Sequence, residues 1–457
     1  MIRKLLEAGV DIFRLNASHG QKDEHVRRIQ IVRETSKAMG IHTGLLLDLQ
    51  GPKIRLGEFE NGGCTVQNGD SFTITTEQLI GNSKIASTSY AEFARDVKPG
   101  NTVLVADGAV KLRVTSTDGV AARCEVVIGG VLSNRKGINL PGLAVSTPSL
   151  TRKDKADLQF GLDEKVDYIA LSFVRQPSDV LRLKLYLEER ESKAQVIAKI
   201  EKPEAVENLN AILAESDGVM VARGDLGVEM AIEKVPAIQK TIIQRARTMG
   251  KFVITATQML ESMIENAVPT RAEVSDIANA IYDGTDAVML SAETSTGKFP
   301  VEAASVMDRI AGETEANLRY RGYQELPPLA NPSHAEIITD SAYQAVRYLG
   351  VAAIVVFTAS GGTARLISRF RPPVPIYAFT PNEDCARQLS MIYGVNPIVV
   401  PNVGSTDEML VQMDQLLQQL GHIKPNDQVV FVSGQPIGQV GSTNMLKLHR
   451  AVEWPKA

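Results

Sequence analysis

The sequence predicts an α/β protein: a (β/α)8 barrel, interrupted by an inserted all-β lid and followed by a smaller C-terminal α/β unit. Three observations carry this. Short apolar runs of strand length alternate with helical patterns from Val10 onward, at the spacing of βα units in a parallel sheet. Polar and charged residues gather just past the C-terminal ends of those runs, where such barrels build their sites. Between residues 51 and 148 the texture changes to β-like runs separated by turn signals such as Asn61-Gly62-Gly63, Asn68-Gly69-Asp70, Pro99-Gly100-Asn101 and Asp118-Gly119. A doubly wound dinucleotide-binding sheet explains less, because no G-x-G-x-x-G turn follows the first strand.

Taken in order, the chain opens with an amphipathic helix at 2–8, stopped by Gly9, and then a strand, Val10–Leu15. A helix to about residue 39 and a strand over Gly44–Leu49 follow. After Pro148 the barrel resumes with strands at Val166–Val174, Gln195–Ile200, Gly218–Val221, Phe252–Ala256 and Ala287–Leu290. That makes seven strands. An apolar strand and its connection, roughly 20–30 residues for one βα unit, are therefore expected before the opening helix. The organisation expected is a barrel domain over 1–50 and 149–318, a lid domain over 51–148, a Pro-containing linker over 318–333, and an α/β domain over 334–457. Strands in the last are expected near Ala353–Thr358, Pro375–Thr380, Pro397–Val400 and Gln428–Ser433.

A chain of 457 residues exceeds one hydrophobic core, and 44% hydrophobic with 22% charged residues is ordinary for a globular protein. Its net charge of −4 argues against nucleic-acid binding, since no basic excess exists to neutralise phosphates. Three scattered cysteines, Cys64, Cys124 and Cys385, suit a reducing cytoplasm and indicate neither a disulfide framework nor a zinc site. No apolar run approaches the ~18 residues of a membrane span.

Chemistry concentrates at the strand ends. Gly218–Val221 leads into Ala222-Arg223-Gly224-Asp225-Leu226-Gly227, read as a loop whose glycines free backbone amides for a ligand, with Asp225 a hard oxygen ligand for Mg²⁺. Lys199 and Glu201, two apart on a strand, share a face. Arg14 suits bidentate contact with a phosphoryl group, and Asn16 and Ser18 offer oxygens to a cation. Thr255 and Thr257 place two hydroxyls on one face, and Ser291 ends the last barrel strand. Lys136, in the basic loop Asn134–Gly142, is placed to meet nucleotide phosphates, and His19 to stack on a base. The loop Thr358-Ala359-Ser360-Gly361-Gly362-Thr363, before a helix expected near Ala364, makes a phosphate cradle. Each of these also has a plainer reading, as a cap, a turn or an exposed pair; their occurrence together favours chemistry.

Assembled, the stretches FRLNASHG (13–20), DLQGPKIR (48–55), RKGINLPG (135–142), AKIEKPE (198–204), MVARGDLGVE (220–229), TATQMLESM (255–263), PTRAEVSD (269–276) and VMLSAET (288–294) resemble the pyruvate kinase family, in the family's order. The resemblance implies transfer of phosphate from phosphoenolpyruvate to ADP, giving pyruvate and ATP. It implies Mg²⁺ or Mn²⁺ on Glu201 and Asp225, and Lys199 facing the transferring group and the enolate oxygen. The Gly224 and Asp225 amides and Thr257 would hold the substrate carboxylate. Arg14 and Arg55 would neutralise phosphates, with Lys136, Asn16 and His19 at the nucleotide. Thr257, Ser291 or a water would protonate the enolate. A small phosphorylated effector would bind at Thr358, Ser360, Gly361, Gly362 and Thr363, and a homotetramer is implied. A truncated kinase-like binding protein, or a phosphoenolpyruvate-handling aldolase or lyase, is the alternative; the latter has no need of the lid loop at 135–142.

The family pattern is broken in two places. Its first barrel strand, usually a Lys-Ile/Val stretch ending in Gly-Pro-Ala/Ser, is absent; and Lys53 stands where many members carry Glu, with Leu49-Gln50 in place of a common Thr-Lys. Asn16, Ser18, Asp48 and the Leu49 carbonyl form the implied monovalent-cation pocket. A lysine ammonium near it would repel K⁺ by roughly 4 kcal/mol at 4 Å with an effective dielectric of 20. The expected outcome is activity in buffer free of K⁺ and NH₄⁺, with Lys53→Glu lowering it and making it respond to added K⁺. A wild-type enzyme inert until K⁺ is supplied would contradict this.

Overall fold

The computed structural model describes residues 1–143, 146–321, 323–328 and 331–454. Strands β1 (Ile12–Asn16) and β2 (Gly44–Asp48) pair in parallel, with Asn16 opposite Asp48. From there the chain enters the all-β segment: β3 (Gly63–Val66), β4 (Ser71–Thr75), β5 (Ile85–Ser87), β6 (Thr102–Val105), β7 (Val110–Thr117), β8 (Ala121–Ile128), β9 (Gly130–Ser133) and β10 (Ile138–Asn139). These form a six-stranded sheet, in the order β10-β6-β7-β8-β4-β5, and a β3–β9 ribbon. The period of two is plain in β7, where Val110, Leu112 and Val114 are buried while Arg113 and Thr115 are exposed. Those valines and leucines join Phe72, Ile74 and Val103 in a core of the segment's own.

The parallel sheet then continues with β11 (Tyr168–Leu171), β12 (Gln195–Ile200), β13 (Gly218–Ala222), β14 (Phe252–Ala256) and β15 (Ala287–Met289). Its strand order is the chain order, β1-β2-β11-β12-β13-β14-β15, the arrangement of a (β/α)8 barrel. Among the described residues β1 and β15, the two ends of that order, are not paired with each other. Several of these strands read as unbroken apolar runs because both faces are covered. One face places Leu45, Leu47, Ala198, Val219 and Val221 against helix residues such as Ile29, Leu158, Leu183 and Ile242. The other, with Leu46, Ala170, Ile197, Met220 and Ile254, is continuous with Ile354, Ala364, Cys385 and Leu389 of the C-terminal part.

That C-terminal part is a five-stranded sheet, β18-β17-β16-β19-β20, built from β16 (Ala353–Phe357), β17 (Ile376–Thr380), β18 (Val395–Val399), β19 (Gln428–Gly434) and β20 (Thr443–Arg450). The antiparallel edge strand β20 is absent from the sequence reading. Its half-exposed, mixed sequence lacks the apolar run that marked the others. The linker reading also needs correction at its start, since the helix Pro300–Arg321 runs into it; residues 322, 329 and 330 of that linker lie outside the described residues.

The helix Glu383–Leu389 seats against the N-terminal ends of the barrel strands. Arg387 Nε pairs with Asp167 Oδ1 at 2.9 Å, the Tyr168 hydroxyl donates to the Gln388 carbonyl, and Gln195 Nε2 donates to Gln388 Oε1 at 3.1 Å. Strand β12 is thus tied at its start to the C-terminal part, while its other end carries Lys199.

Gly218, at the start of β13, shows how tight this packing is. A Cβ there would fall 2.3–2.5 Å from the ring of the buried Phe252. Gly218→Ala should therefore cost about 1–3 kcal/mol through overpacking, read as a lower melting temperature of the purified protein; an unchanged melt would mean the ring has room to move.

Candidate active site

The C-terminal ends of neighbouring parallel strands lie side by side, so polar residues distant in sequence meet there. Asp48 closes β2, Ser172 follows β11, and Lys199 and Glu201 straddle the end of β12. Lys199 Nζ lies 2.7 Å from Glu201 Oε1 and 3.3 Å from Asp48 Oδ1, and donates to Ser172 Oγ at 2.8 Å. Arg14, from β1, donates through Nε to Asp48 Oδ2 at 2.7 Å. The remaining Glu201 oxygen accepts the Phe173 amide at 2.8 Å. The carboxylates are almost wholly buried: Asp48 and Glu201 are each 1% exposed.

Charge is held in place by these neighbours. Burial alone would lift the Asp48 carboxyl, but Lys199 and Arg14 outweigh it and hold Asp48 below the usual carboxylate range. Burial would likewise depress the Lys199 ammonium; Asp48, Glu201 and Asp225 overcome that and push it above its ordinary value. For Glu201 burial wins, reinforced by the Asp225 carboxylate, and its carboxyl is raised despite Lys199. Asp225 thus stands close enough to influence both members of the pair. Two carboxylates beside a single lysine form a hard-oxygen donor set short of positive charge, which fits a divalent cation.

The Arg223–Glu229 stretch departs from the loop expected there. It is a seven-residue helix beginning directly after β13. Its first-turn amides lack intrahelical carbonyl partners, so the free donors expected of a glycine loop come instead from a helix start. The Gly224 amide donates to Thr257 Oγ1 at 2.8 Å. Thr257 and Gln258 adopt left-handed backbone, with φ of 69° and 56°, just past β14. This turn separates the two hydroxyls expected on one face. Thr255, fully buried, bonds Thr285 Oγ1 at 2.9 Å, while Thr257 alone faces Gly224. Arg223 braces the turn by donating to the Thr257 carbonyl at 2.6 Å and pairing with both Asp276 oxygens at 2.6–2.7 Å.

The other expected residues fall into place unevenly. Asn16 accepts the Ser18 amide at 3.0 Å and its side-chain nitrogen sits 3.3 Å from His19 Nδ1. Burial, together with Arg55, Lys53 and Arg14 nearby, lowers the His19 pKa, keeping that ring neutral beside a cluster of cations. Arg55 and the lid loop are joined directly, Arg55 Nη1 donating to the Arg135 carbonyl at 3.1 Å and the Lys136 carbonyl accepting the Leu56 amide at 2.8 Å. The Lys53 stem lies alongside Gly137 in the same loop. The Leu49 carbonyl accepts from Ser172 Oγ at 2.8 Å, and the Asp48 oxygens face Arg14 and Lys199, so these two members of the expected monovalent-cation pocket already have protein partners. The Ser291 amide donates to Glu293 Oε2 at 2.7 Å. In the C-terminal loop the helix starts at Gly362 rather than Ala364. The Thr358 hydroxyl accepts the Gly361 amide at 2.9 Å, and the Thr363 hydroxyl bonds Thr443 Oγ1 of β20 at 2.6 Å.

Sequence reasoning missed Ser172 and the Arg223–Asp276 pair. The hydroxyl of Ser172 joins Lys199 to the end of β2. Its only signal was a polar residue directly after an apolar run.

A barrel whose strand ends gather a charged lysine, an arginine and two mutually repelling carboxylates, under a lid loop bearing arginine and lysine, defines a phosphotransferase. The family comparisons agree. Residues 1–304 match the model of the pyruvate kinase barrel domain and residues 336–449 that of the pyruvate kinase alpha/beta domain. A pyruvate kinase of Mycobacterium tuberculosis is 46% identical over 99% of this chain and 95% of its own length. One from Geobacillus stearothermophilus is 45% identical over 98% of this chain and 77% of its own. The crystal structure of a pyruvate kinase from Cryptosporidium parvum superposes with a TM-score of 0.92 at 36% identity, covering 98% of this chain and 92% of that one. The chain belongs to the pyruvate kinase family.

If the Lys199 charge acts chiefly in the transition state, Lys199→Met should lower kcat by on the order of 10²–10³ while leaving KM for phosphoenolpyruvate little changed. Steady-state kinetics check this, and near-normal kcat would remove Lys199 from the chemistry.

Proposed function

We propose that this chain transfers the phosphoryl group of phosphoenolpyruvate to ADP, yielding pyruvate and ATP. The observation that carries the reading is the buried Arg14–Asp48–Lys199–Glu201 network at the barrel's strand ends. Phosphoryl transfer depends on in-line positioning and on spreading positive charge, more than on covalent chemistry. Arg14 and Lys199, oriented by Asp48, offer that charge to the transferring group, and Lys199 then faces the enolate oxygen left behind. Asp48 and Ser172 restrict the ammonium to one place, so little reorganisation accompanies the reaction. The amides of Gly224 and Asp225, with Thr257, take the substrate carboxylate; the Gly224 amide and the Thr257 hydroxyl stand together at this helix start, and a carboxylate would replace the bonds they now donate to Thr257 Oγ1 and the Ala256 carbonyl. Arg55, Lys136, Asn16 and His19 serve the nucleotide. The enolate proton comes from Thr257, Ser291 or a water.

Pyruvate kinases in general use Mg²⁺. Here Glu201 and Asp225 would hold it, or Mn²⁺, and when bound it supplies further positive charge for the phosphoryl oxygens. Activity without K⁺ is supported by Lys53, an added cation beside Arg55 and His19. The domain limits are taken as 1–50 with 149–318, 51–148 and 334–457, a division that the separate seven-, six- and five-stranded sheets support. Among the described residues no helix is long and apolar enough to cross a membrane, and a cytoplasmic homotetramer is the setting the family reading gives. A coupled assay for pyruvate formed from phosphoenolpyruvate and ADP tests the activity. Turnover that needs both substrates and a divalent cation is expected; binding without turnover would favour a regulatory, inactive relative.

The loop Thr358–Thr363, with Gly361 at φ 79°, would take the phosphate of a small activator such as a sugar or nucleoside monophosphate. Replacing Ser360 and Thr363 with Ala should abolish activation while leaving the maximal rate largely intact. An effector response that survives both changes would place the site elsewhere.

A further inference from the structure

A small cavity under the barrel, against the C-terminal part, is lined by five cationic side chains and a single carboxylate. Arg247 and Lys251 come from the barrel side, Arg365, Arg369 and Arg371 from the segment that begins with the helix Gly362–Ser368. Asp286 is the one carboxylate in the lining, paired with Arg371 at 3.0 Å. Outside it, Glu336 pairs with Arg369 at 3.3 Å with Asp340 beyond, and Asp217 and Glu215 act on Lys251. Arg247, Arg369 and Arg371 are each at least nine-tenths buried.

Their guanidinium nitrogens are unevenly served. Arg371 donates through Nη1 and Nη2 to the carbonyls of Ser368 and Gly284 at 2.9 and 2.7 Å, and Arg247 donates to the Arg369 carbonyl at 3.2–3.4 Å. Yet Arg365 Nη1, Arg369 Nε and Arg371 Nε are buried without a hydrogen-bond partner among the described residues. An unmet donor on a buried charged group costs about 1–3 kcal/mol or more, and all three belong to side chains that line this cavity. Burial, with Arg371 alongside, also pulls the Arg247 guanidinium down to about 10. Negative charge in the cavity would relieve that strain in a way a neutral water would not.

We propose that this cavity is a binding site for a monoatomic anion of chloride size. The space is small, roughly one water's worth, so a single-atom anion asks for less side-chain adjustment than a tetrahedral oxyanion. Arg365 extends the consequence, because its Nη2 donates to the Ser360 carbonyl at 3.3 Å. An anion held there joins the base of the barrel to the loop Thr358–Thr363, neutralising repulsion that otherwise opposes their contact.

The test uses crystals of the full chain grown or soaked in bromide, with anomalous scattering recorded at the bromine edge. The expected result is an anomalous peak among Arg365, Arg369 and Arg371. Peaks confined to the protein surface, an adventitious ion only, or a water with no anomalous signal in the cavity, would overturn the proposal. Melting in chloride against gluconate at equal ionic strength gives an independent arm. Chloride should raise the melting temperature of the wild type by on the order of 2 °C, and the half-buried Arg365→Met variant should lose that difference. An equal chloride effect in both proteins would also overturn it.

Discussion

The buried contact between Lys199, Asp48 and Glu201 is the constraint on which the site depends. Asp48 comes from the end of β2 and Lys199 and Glu201 from the end of β12, so the network exists only when β2 and β12 stand in their sheet order. Buried ion pairs add little net stability, because desolvation offsets much of the attraction. Removing one partner is another matter: it leaves an unmatched charge and costs about 3–5 kcal/mol. The network is therefore better understood as fixing geometry. It keeps Lys199 charged, keeps Asp48 ionised, and leaves Glu201 short of positive charge. That shortage is what a divalent cation would meet.

The rest of the barrel serves this arrangement from both ends. On the far side, Tyr168, Asp167 and Gln195 anchor the starts of β11 and β12 to the helix Glu383–Leu389. On the near side, the lid reaches the barrel through Asn139, whose side chain donates to Glu229 Oε1 at 2.9 Å, the same oxygen that takes Lys202 Nζ at 2.7 Å. A strand held at its base by one neighbour and tied at its tip by buried ion pairs has little freedom of its own.

Much of this was legible in the sequence, for physical reasons that differ by element. The barrel strands were readable because burial on both faces demands unbroken apolar runs, as at Leu45–Leu47 and Val219–Val221. Lys199 and Glu201 could be paired from their spacing of two. What stayed hidden depended on contacts between distant segments. The run at Arg223 reads as a loop because of its glycines, yet the Arg223–Asp276 pair and the Thr257 hydroxyl accompany a helix start there. Thr255 and Thr257 look alike by position, but the left-handed turn at Thr257 sends them to different partners. Strand β20 is an edge strand of mixed character, and its place follows from pairing with β19 rather than from its own pattern. The basic cavity under the barrel joins residues 247 to 371, with no local signature in either segment.

The central claim is that Glu201 and Asp225 are a cation-binding pair poised beside a lysine kept charged by Asp48. Titration of the purified protein with Mn²⁺, followed by electron paramagnetic resonance of the free ion, addresses it without relying on turnover. The account predicts Mn²⁺ binding by the wild type, and its weakening by about 10-fold or more in Glu201→Gln and Asp225→Asn proteins that melt as folded species. Mn²⁺ bound as tightly by both variants as by the wild type would contradict it.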